Sequence, residues 1–348
     1  MGDTDVEHLG VNGPRVTTWF EEQVEGVTPP LTFDLIAGGH SNLTYRVTDA
    51  SGRDWVLRRP PLGHLLATAH DMSREHRIVA ALGDSPVPVA PAIGLCTDGS
   101  VNGAPFYVMG FVDGLVVRNA DDARTHLRPD ARRRAGESMI DVLAALHAID
   151  PDTVGLGDLG RKDGYLERQL KRWHGQWQQS QPPDIPAVDE VHDLLLRRVP
   201  PQGPPAIVHG DYRLDNCMVD PSGRLRAVLD WELCTLGDPL ADVGLLMVYW
   251  TEPGDPHSAL LGAPTVAEGF ASRDELLARY GERSGRDLSG IDYYLAFGHW
   301  KLACIIAGVY DRYRHGALGT VDEHMVDGFG AQIETLAQLA AESAARVD

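Results

Sequence analysis

The hydrophobic pattern of this chain is rich in strand periods in its first third and mostly helical beyond, and that shift divides it. Val16, Trp19, Phe20 and Val24 fall on one helical stripe, so a helix is predicted over Arg15 to Gly26. Leu31 to Ile36, Leu43 to Thr48 and Trp55-Val56-Leu57-Arg58 then read as strands. Turns at 37–42 and 50–52 join them into a meander. A second helix is expected from Asp71 to Leu82, with Met72, His76, Val79 and Ala80 in its stripe. Strands at Ala92 to Cys96 and Pro105 to Val112 follow. Beyond Asp113-Gly114 the period is mostly helical: Pro129 to Asp150, Gly160 to Gln181, Ala187 to Arg198, Leu240 to Trp250, Ser272 to Gly285, Ile291 to Arg314 and Glu323 to Ala345. The boundary is placed near Val112. Residues 1–112 form a sheet-bearing lobe behind an N-terminal helix, and residues 113–348 form a mostly helical lobe. The fold class expected is α+β.

Composition narrows the class. A chain of 348 residues, 43% of them hydrophobic, can build two packed units with sizeable cores. No apolar run is long enough to span a bilayer. Met1 to Gly13 lacks the basic and apolar regions of a secretory signal. Cys96, Cys217, Cys234 and Cys304 are scattered without ligand spacing, as thiols in a reducing cytoplasm would be. The net charge of -19 disfavours a nucleic-acid partner. Basic residues are almost all arginine; the lysines are Lys162, Lys171 and Lys301.

One stretch carries the chemistry. Ala206-Ile207-Val208 leads into His209-Gly210-Asp211-Tyr212-Arg213-Leu214-Asp215-Asn216. Cys217-Met218-Val219 leads out, Asp220-Pro221-Ser222-Gly223 turns the chain, and Arg224 to Leu229 returns to Asp230-Trp231-Glu232. A loop and a tight hairpin can therefore gather Asp211, Asn216 and Asp230. That set suits phosphoryl transfer: one carboxylate accepts the proton of an attacking hydroxyl, while an amide oxygen and a second carboxylate hold Mg²⁺ against a triphosphate. The spacing fits the kinase catalytic loop H-R-D-x-x-x-x-N, with Gly210 in place of Arg. Asp230 falls where the DFG aspartate would, with Trp-Glu in place of Phe-Gly. The bland alternative, a polar loop before a surface hairpin, does not account for all three offsets.

HGDYRLDN, LDWE and GDPLADVG (237–244), with GGHSNLTYRV (38–47) and VLRRPP (56–61), resemble the aminoglycoside phosphotransferase and choline kinase-like family. The nearest resemblance is to the branch found fused to acyl-CoA dehydrogenase domains. It runs from about Leu35 to Tyr313. It implies a bilobal protein kinase-like fold, with a small antiparallel-sheet N-lobe, a mostly helical C-lobe and the nucleotide between them.

On the kinase template, the turn bearing Gly38, Gly39, Ser41 and Asn42 brings backbone N–H groups to the phosphates. The third strand lacks the expected lysine. Arg58 falls at its position, Arg59 is the competing candidate, and Val56 would pack on adenine on the same strand face as Arg58. Glu75 would orient Arg58. Met109 would line the back of the pocket, and backbone groups at Gly110, Phe111 and Val112 would meet the adenine edge. His209 is expected to brace the loop, and the resemblance gives Asp238 and Asp242 the same purpose. His147 reads as a satisfied core histidine, Trp173 and Trp177 as packing residues, and Arg132-Arg133-Arg134 and Arg197-Arg198 as solvated helix faces.

The reading that follows is an ATP- and Mg²⁺-dependent phosphotransferase acting on a hydroxyl of a small molecule. The branch resemblance suggests a hydroxyacyl-CoA-type acceptor and a functional link to acyl-CoA dehydrogenases. The wider family suggests aminoglycoside-like or amino-alcohol acceptors. No segment ending in A-P-E follows Asp230, which argues against a protein kinase. The alternative is a nucleotide-binding pseudokinase or a regulatory partner of an acyl-CoA-metabolising enzyme. No nucleic acid or membrane partner is expected.

Overall fold

A computed structural model describes residues 10–37, 42–62, 71–180, 184–255, 262–315 and 323–347, with residues 323–327 described by backbone alone. The chain divides into two compact units, residues 1–113 and 114–348.

The first unit starts with helix α1 (Gly13–Gln23), capped by the Asn12 side chain, with Pro14 in its first turn. It begins earlier than the apolar stripe suggests because proline is accommodated in a first turn, where no N–H is needed. Strands β1 (Thr32–Ala37), β2 (Leu43–Thr48) and β3 (Asp54–Arg59) form the meander. Helix α2 (Met72–Leu82), strand β4 (Ala92–Cys96), the one-turn helix α3 (Gly99–Asn102) and strand β5 (Phe106–Gly110) follow. Among the described residues the sheet is five-stranded, in the order β1-β2-β3-β5-β4, with antiparallel neighbours.

Strand alternation gives this sheet two different faces. Tyr45, Val47, Trp55, Leu57, Phe106 and Val108 join Val16 and Phe20 of α1, and Val24 just beyond it, in one buried cluster. Complete burial of a side chain such as Phe20 is worth roughly 1.5–3 kcal/mol. The other face is set by two cross-strand rows, Thr44–Arg58–Tyr107 and Arg46–Val56–Met109. Helix α2 packs on β4 and β5 and buries Met72, Glu75, Ile78, Val79 and Leu82. This corrects the predicted stripe, since Ala80 is exposed. A buried glutamate lies within the true stripe, and a search for apolar spacing passes over it.

The second unit opens with β6 (Leu115–Val116) and α4 (Ala120–His126), both too short to leave a periodic signal. Helices α5 (Pro129–Ala148), α6 (Tyr165–Gln179) and α7 (Pro186–Arg197) precede strand β7 (Ala206–Val208). Strands β8 (Cys217–Val219), β9 (Leu225–Val228) and β10 (Thr235–Gly237) lead to helices α8 (Pro239–Tyr249), α9 (Arg273–Ser284), α10 (Ile291–Arg314) and α11 (Glu323–Ala344). Leu170, Trp173, Trp177, Val188, Leu195, Trp300 and Leu336 share one core cluster across α6, α7, α10 and α11. Arg132 corrects another expectation. It is buried, donating from Nε to Ala123 O at 3.0 Å and from Nη1 to Glu268 O at 2.7 Å. Arg133 and Arg134 are exposed and paired with Glu275 and Asp130.

Two pairings place the loop between β7 and β8. β8 and β9 form a hairpin closed by Asp220 N donating to Arg224 O at 2.9 Å. Gly223 in that turn has φ +87, and a Cβ there would lie 2.0 Å from Ala131 O of α5. β10 pairs antiparallel with β7, Gly237 opposite Ala206, which returns the start of α8 to the loop. Among the described residues no helix is long and apolar enough to cross a membrane.

Candidate active site

The loop is held from beneath by α8. Asp238 caps this helix through Leu240 N, and Pro239 occupies its first turn. One turn on, Asp242 is 1% exposed. Its Oδ2 accepts from His209 N at 2.6 Å and its Oδ1 from Gly210 N at 2.9 Å. Burial alone would raise this carboxyl. The hydrogen bond from His147, the nearby histidines and the Gly210 N–H outweigh burial and hold it below the usual carboxylate range. His147 also meets Tyr280 Oη at 2.8 Å and is a satisfied core residue.

Both ring nitrogens of His209 are engaged. Nε2 donates to Leu229 O at 2.8 Å, and Nδ1 accepts from Asp211 N at 3.3 Å. This ring braces the loop and has no free nitrogen for proton transfer. Tyr212 is buried and donates to Met139 O of α5 at 2.9 Å. Lys301 of α10 is 4% exposed and donates from Nζ to Gly210 O at 2.8 Å.

Asp211 is surrounded by donors. Its Oδ1 accepts from Tyr249 Oη at 3.1 Å, and its Oδ2 accepts from Asn216 Nδ2 at 2.9 Å. Arg213 Nε lies 3.4 Å from the same Oδ2, and Arg213 Nη1 lies 3.3 Å from Asp215. The Arg213 guanidinium also stands 5.1 Å from the centre of the Tyr249 ring. Burial, reinforced by the Asp211 charge, pushes the Tyr249 phenol well up, so it stays a donor. Asn216 is buried at 7% exposure, and its peptide oxygen accepts from Leu229 N at 2.8 Å. That bond ties the end of the loop to the residue before Asp230. Among the described residues Asp230 alone has positive φ without being glycine, at +61°. Asn216 thus binds Asp211 through its side chain and the residue before Asp230 through its peptide oxygen.

The first unit holds the other candidates. Glu75 is 2% exposed and organises them. Its Oε1 accepts from Asn42 Nδ2 at 2.9 Å, its Oε2 accepts from Tyr107 Oη at 3.1 Å, and Arg58 Nε lies 2.9 Å from Oε2. Val56 and Met109 are cross-strand partners on the Arg58 face. Phe111 follows β5 at 37% exposure, with the Arg46 guanidinium 4.8 Å from its ring centre. Arg59 is 5% exposed and bonds the carbonyls of Pro60, Gly10 and Asn102. Gly38, Gly39 and Ser41 lie outside the described residues.

Tyr249 and Lys301 were not singled out as site residues by the motif. Tyr249 ends a helix that is apolar apart from Asp242, where an aromatic reads as core. Lys301 had a signal: a charge amid the apolar and aromatic run of α10, in a chain almost without lysine.

The phosphotransferase enzyme family matches residues 32–291. The chain belongs to this family. A Ralstonia eutropha protein, provisionally described as an aminoglycoside phosphotransferase, has a similar structure. The TM-score is 0.82 at 33% identity, covering 97% of this chain and 99% of that one. The aminoglycoside phosphotransferase APH(4)-Ia, in a complex with AMP-PNP and hygromycin B, matches in fold with a TM-score of 0.60 at 16% identity, over 95% of this chain and 99% of that one. The fold is therefore the kinase-like one of these phosphotransferases. Acyl-CoA dehydrogenase family member 11 of Gallus gallus is 34% identical over 96% of this chain, and family member 10 of Mus musculus is 34% identical over 90%. The chain spans 42% and 29% of the lengths of those two proteins.

Proposed function

We propose that this chain is an ATP-dependent phosphotransferase that phosphorylates a hydroxyl group of a small molecule. The observation that carries this reading is the Asp211 carboxylate, oriented by Tyr249 and Asn216 on a loop braced by Asp242 and Lys301. In the proposed reaction Asp211 accepts the hydroxyl proton as the acceptor oxygen bonds to the γ-phosphorus. The bond from that phosphorus to the β–γ bridging oxygen breaks, leaving ADP, and Asp211 then releases the proton to solvent. Arg58, held by Glu75, neutralises nucleotide phosphates, assisted by backbone N–H groups of the 38–42 turn. Val56 and Met109 pack on the adenine, and the backbone at 110–112, including Phe111, meets its edge.

Asn216 and Asp230 fit Mg²⁺. They offer an amide and a carboxylate oxygen, the hard donors this ion prefers. Among the described residues no group of three or more His, Cys, Asp or Glu is arranged to hold a metal. A site with two protein ligands suits an ion that arrives with phosphates and keeps its waters. When bound, it supplies charge neutralisation at the phosphate oxygens.

The acceptor we favour is a hydroxyacyl-CoA-type alcohol over an aminoglycoside-like one. The support is that the matched curated relatives, at 34% identity, carry acyl-CoA dehydrogenase names. A functional link to acyl-CoA dehydrogenases belongs to the same proposal. The buried free thiols support a reducing, cytoplasmic setting.

The test is mass spectrometry of pools incubated with Mg-ATP and either wild type or Asp211→Asn. The pools contain hydroxyacyl-CoAs, amino alcohols and aminoglycosides. A compound that gains one phosphoryl group with wild type alone supports the reading. ATP binding without turnover on any pool supports the pseudokinase alternative instead.

A further inference from the structure

Lys301 belongs to none of the motifs that pointed to the loop, yet it grips the loop beside the proposed base. The carbonyl that accepts from its Nζ, at 2.8 Å, belongs to the peptide joining Gly210 to Asp211. The N–H of that same peptide is donated to His209 Nδ1 at 3.3 Å. The N–H of the preceding peptide is donated to Asp242 Oδ1 at 2.9 Å. Both polar atoms of the plane leading into Asp211 are therefore held, and Lys301 holds one of them with a charged donor.

The loop needs that hold for a physical reason. Gly210 has φ +85, and a Cβ there would lie 2.8 Å from Leu233 O. Only glycine suits this turn, and glycine gives a peptide plane more freedom to swing than any other residue. A charge-assisted hydrogen bond to the carbonyl removes that freedom. Lysine suits the position better than arginine, because a slender stem ending in a point charge can reach one carbonyl from a packed core. Its Nζ stands 5.8 Å from the Trp173 ring centre, deep in the helical cluster. Burial draws the proton affinity of Lys301 down, and Arg172 acts the same way. The charges of Asp211 and Asp242 act against it.

We infer that Lys301 is a positioning residue for the general base: it fixes the Gly210–Asp211 peptide plane from which the Asp211 carboxylate projects. Its catalytic meaning rests on the phosphotransferase reading.

The test compares full-length wild type, Lys301→Met and Lys301→Gln. Methionine keeps the stem without a donor, and glutamine keeps a neutral donor. With an acceptor found for wild type, kcat falls about 100-fold in Lys301→Met, the order expected of a small misplacement of a reacting group. KM for ATP and for acceptor changes less than about threefold, and Lys301→Gln recovers part of kcat. Hydrogen–deuterium exchange, run without substrates, rises over 209–213 in Lys301→Met while α6 and α11 keep wild-type protection. Wild-type kcat in a folded Lys301→Met overturns the inference. So does exchange that rises equally through loop and core, which marks a merely structural lysine. If wild type transfers no phosphoryl group to any acceptor, the phosphotransferase reading fails alone. The exchange comparison then still decides whether Lys301 fixes this plane.

Discussion

The amide nitrogen of Asn216 lies 2.9 Å from Asp211 Oδ2 and 2.8 Å from the Asp211 carbonyl oxygen. One side chain grips the proposed base at two points, and its amide oxygen remains the atom that can serve a cation. Asn216→Ala therefore removes an orienting donor and the proposed metal ligand together. We expect kcat to fall by about 100-fold or more, the scale seen when one preorganised donor is lost. The Mg²⁺ concentration giving half-maximal rate should rise. Steady-state rates across an Mg²⁺ titration check both; an unchanged titration midpoint removes Asn216 as a ligand.

Tyr249 donates a hydrogen bond to the Asp211 carboxylate. A bond to an ionised group is worth about 1.5–3 kcal/mol, so Tyr249→Phe should lower kcat by roughly 10- to 100-fold. Asp211→Asn should lower it by several orders of magnitude while nucleotide affinity, read by calorimetry, stays near wild type. A loss in Tyr249→Phe as large as that in Asp211→Asn would overturn the view that the tyrosine only orients the carboxylate.

Arg58 and Arg59 are neighbours with opposite environments. Arg58 is paired with Glu75 on the Val56–Met109 face, whereas Arg59 is spent on backbone carbonyls of its own unit. Arg58→Ala should weaken ATP binding at least about tenfold, the loss of roughly one charge-assisted contact. Arg59→Ala should lower unfolding free energy by about 1–3 kcal/mol, because its buried carbonyl partners lose their donor. ATP affinity of the folded Arg59 variant should be unchanged. Calorimetric titration and urea denaturation of both variants separate the two roles.

Gly210→Ala should be poorly tolerated. The residue would sit at φ +85 with its Cβ 2.8 Å from Leu233 O, a backbone atom that cannot rotate away. A loss of about 2 kcal/mol or more is expected from strain of this kind. Chemical denaturation measures it, and wild-type stability would show that the loop can relax.

Acid should destabilise the fold through His299. Burial lowers this imidazole to about 4, against the opposing effect of the Leu295 carbonyl, and Arg273 and Arg346 add to the lowering. Asp255 and Glu342 line the same cavity as His299, Arg273 and Arg346. The folded pKa lies below the unfolded value, near 6.5. The stability His299 contributes is therefore fully present above pH 6.5 and is lost as pH falls through about 4. Its share of the slope is at most about 1.4 kcal/mol per pH unit. His299→Leu should flatten unfolding free energy against pH in that window by up to one proton. An identical slope in both proteins would show that other groups set the acid limit.

Much of the molecule was legible in the residues themselves. Strand alternation alone placed Val56 and Arg58 on one face, because the side-chain period of a strand is two whatever surrounds it. The bounds of β2 and β4 match the apolar pattern residue for residue. Elements α4, β6 and β10 left no periodic signal, being too short to repeat one. The loop of residues 209–216 was legible as chemistry because its spacing is local.

By itself the sequence determined the α+β class, the order of the main elements and the family to which the chain belongs. Each of these depends on period, turn chemistry or short-range spacing. The tertiary structure decided which neighbours share a polar contact across long separations. Glu75 gathers Asn42 from just before β2, Arg58 from β3 and Tyr107 from β5; Lys301 reaches Gly210 across 91 positions; Arg132 is buried where a run of arginines promised a solvated face. A buried charge is stable only where partners converge on it, and convergence is a property of packing, which no pattern of neighbouring letters carries.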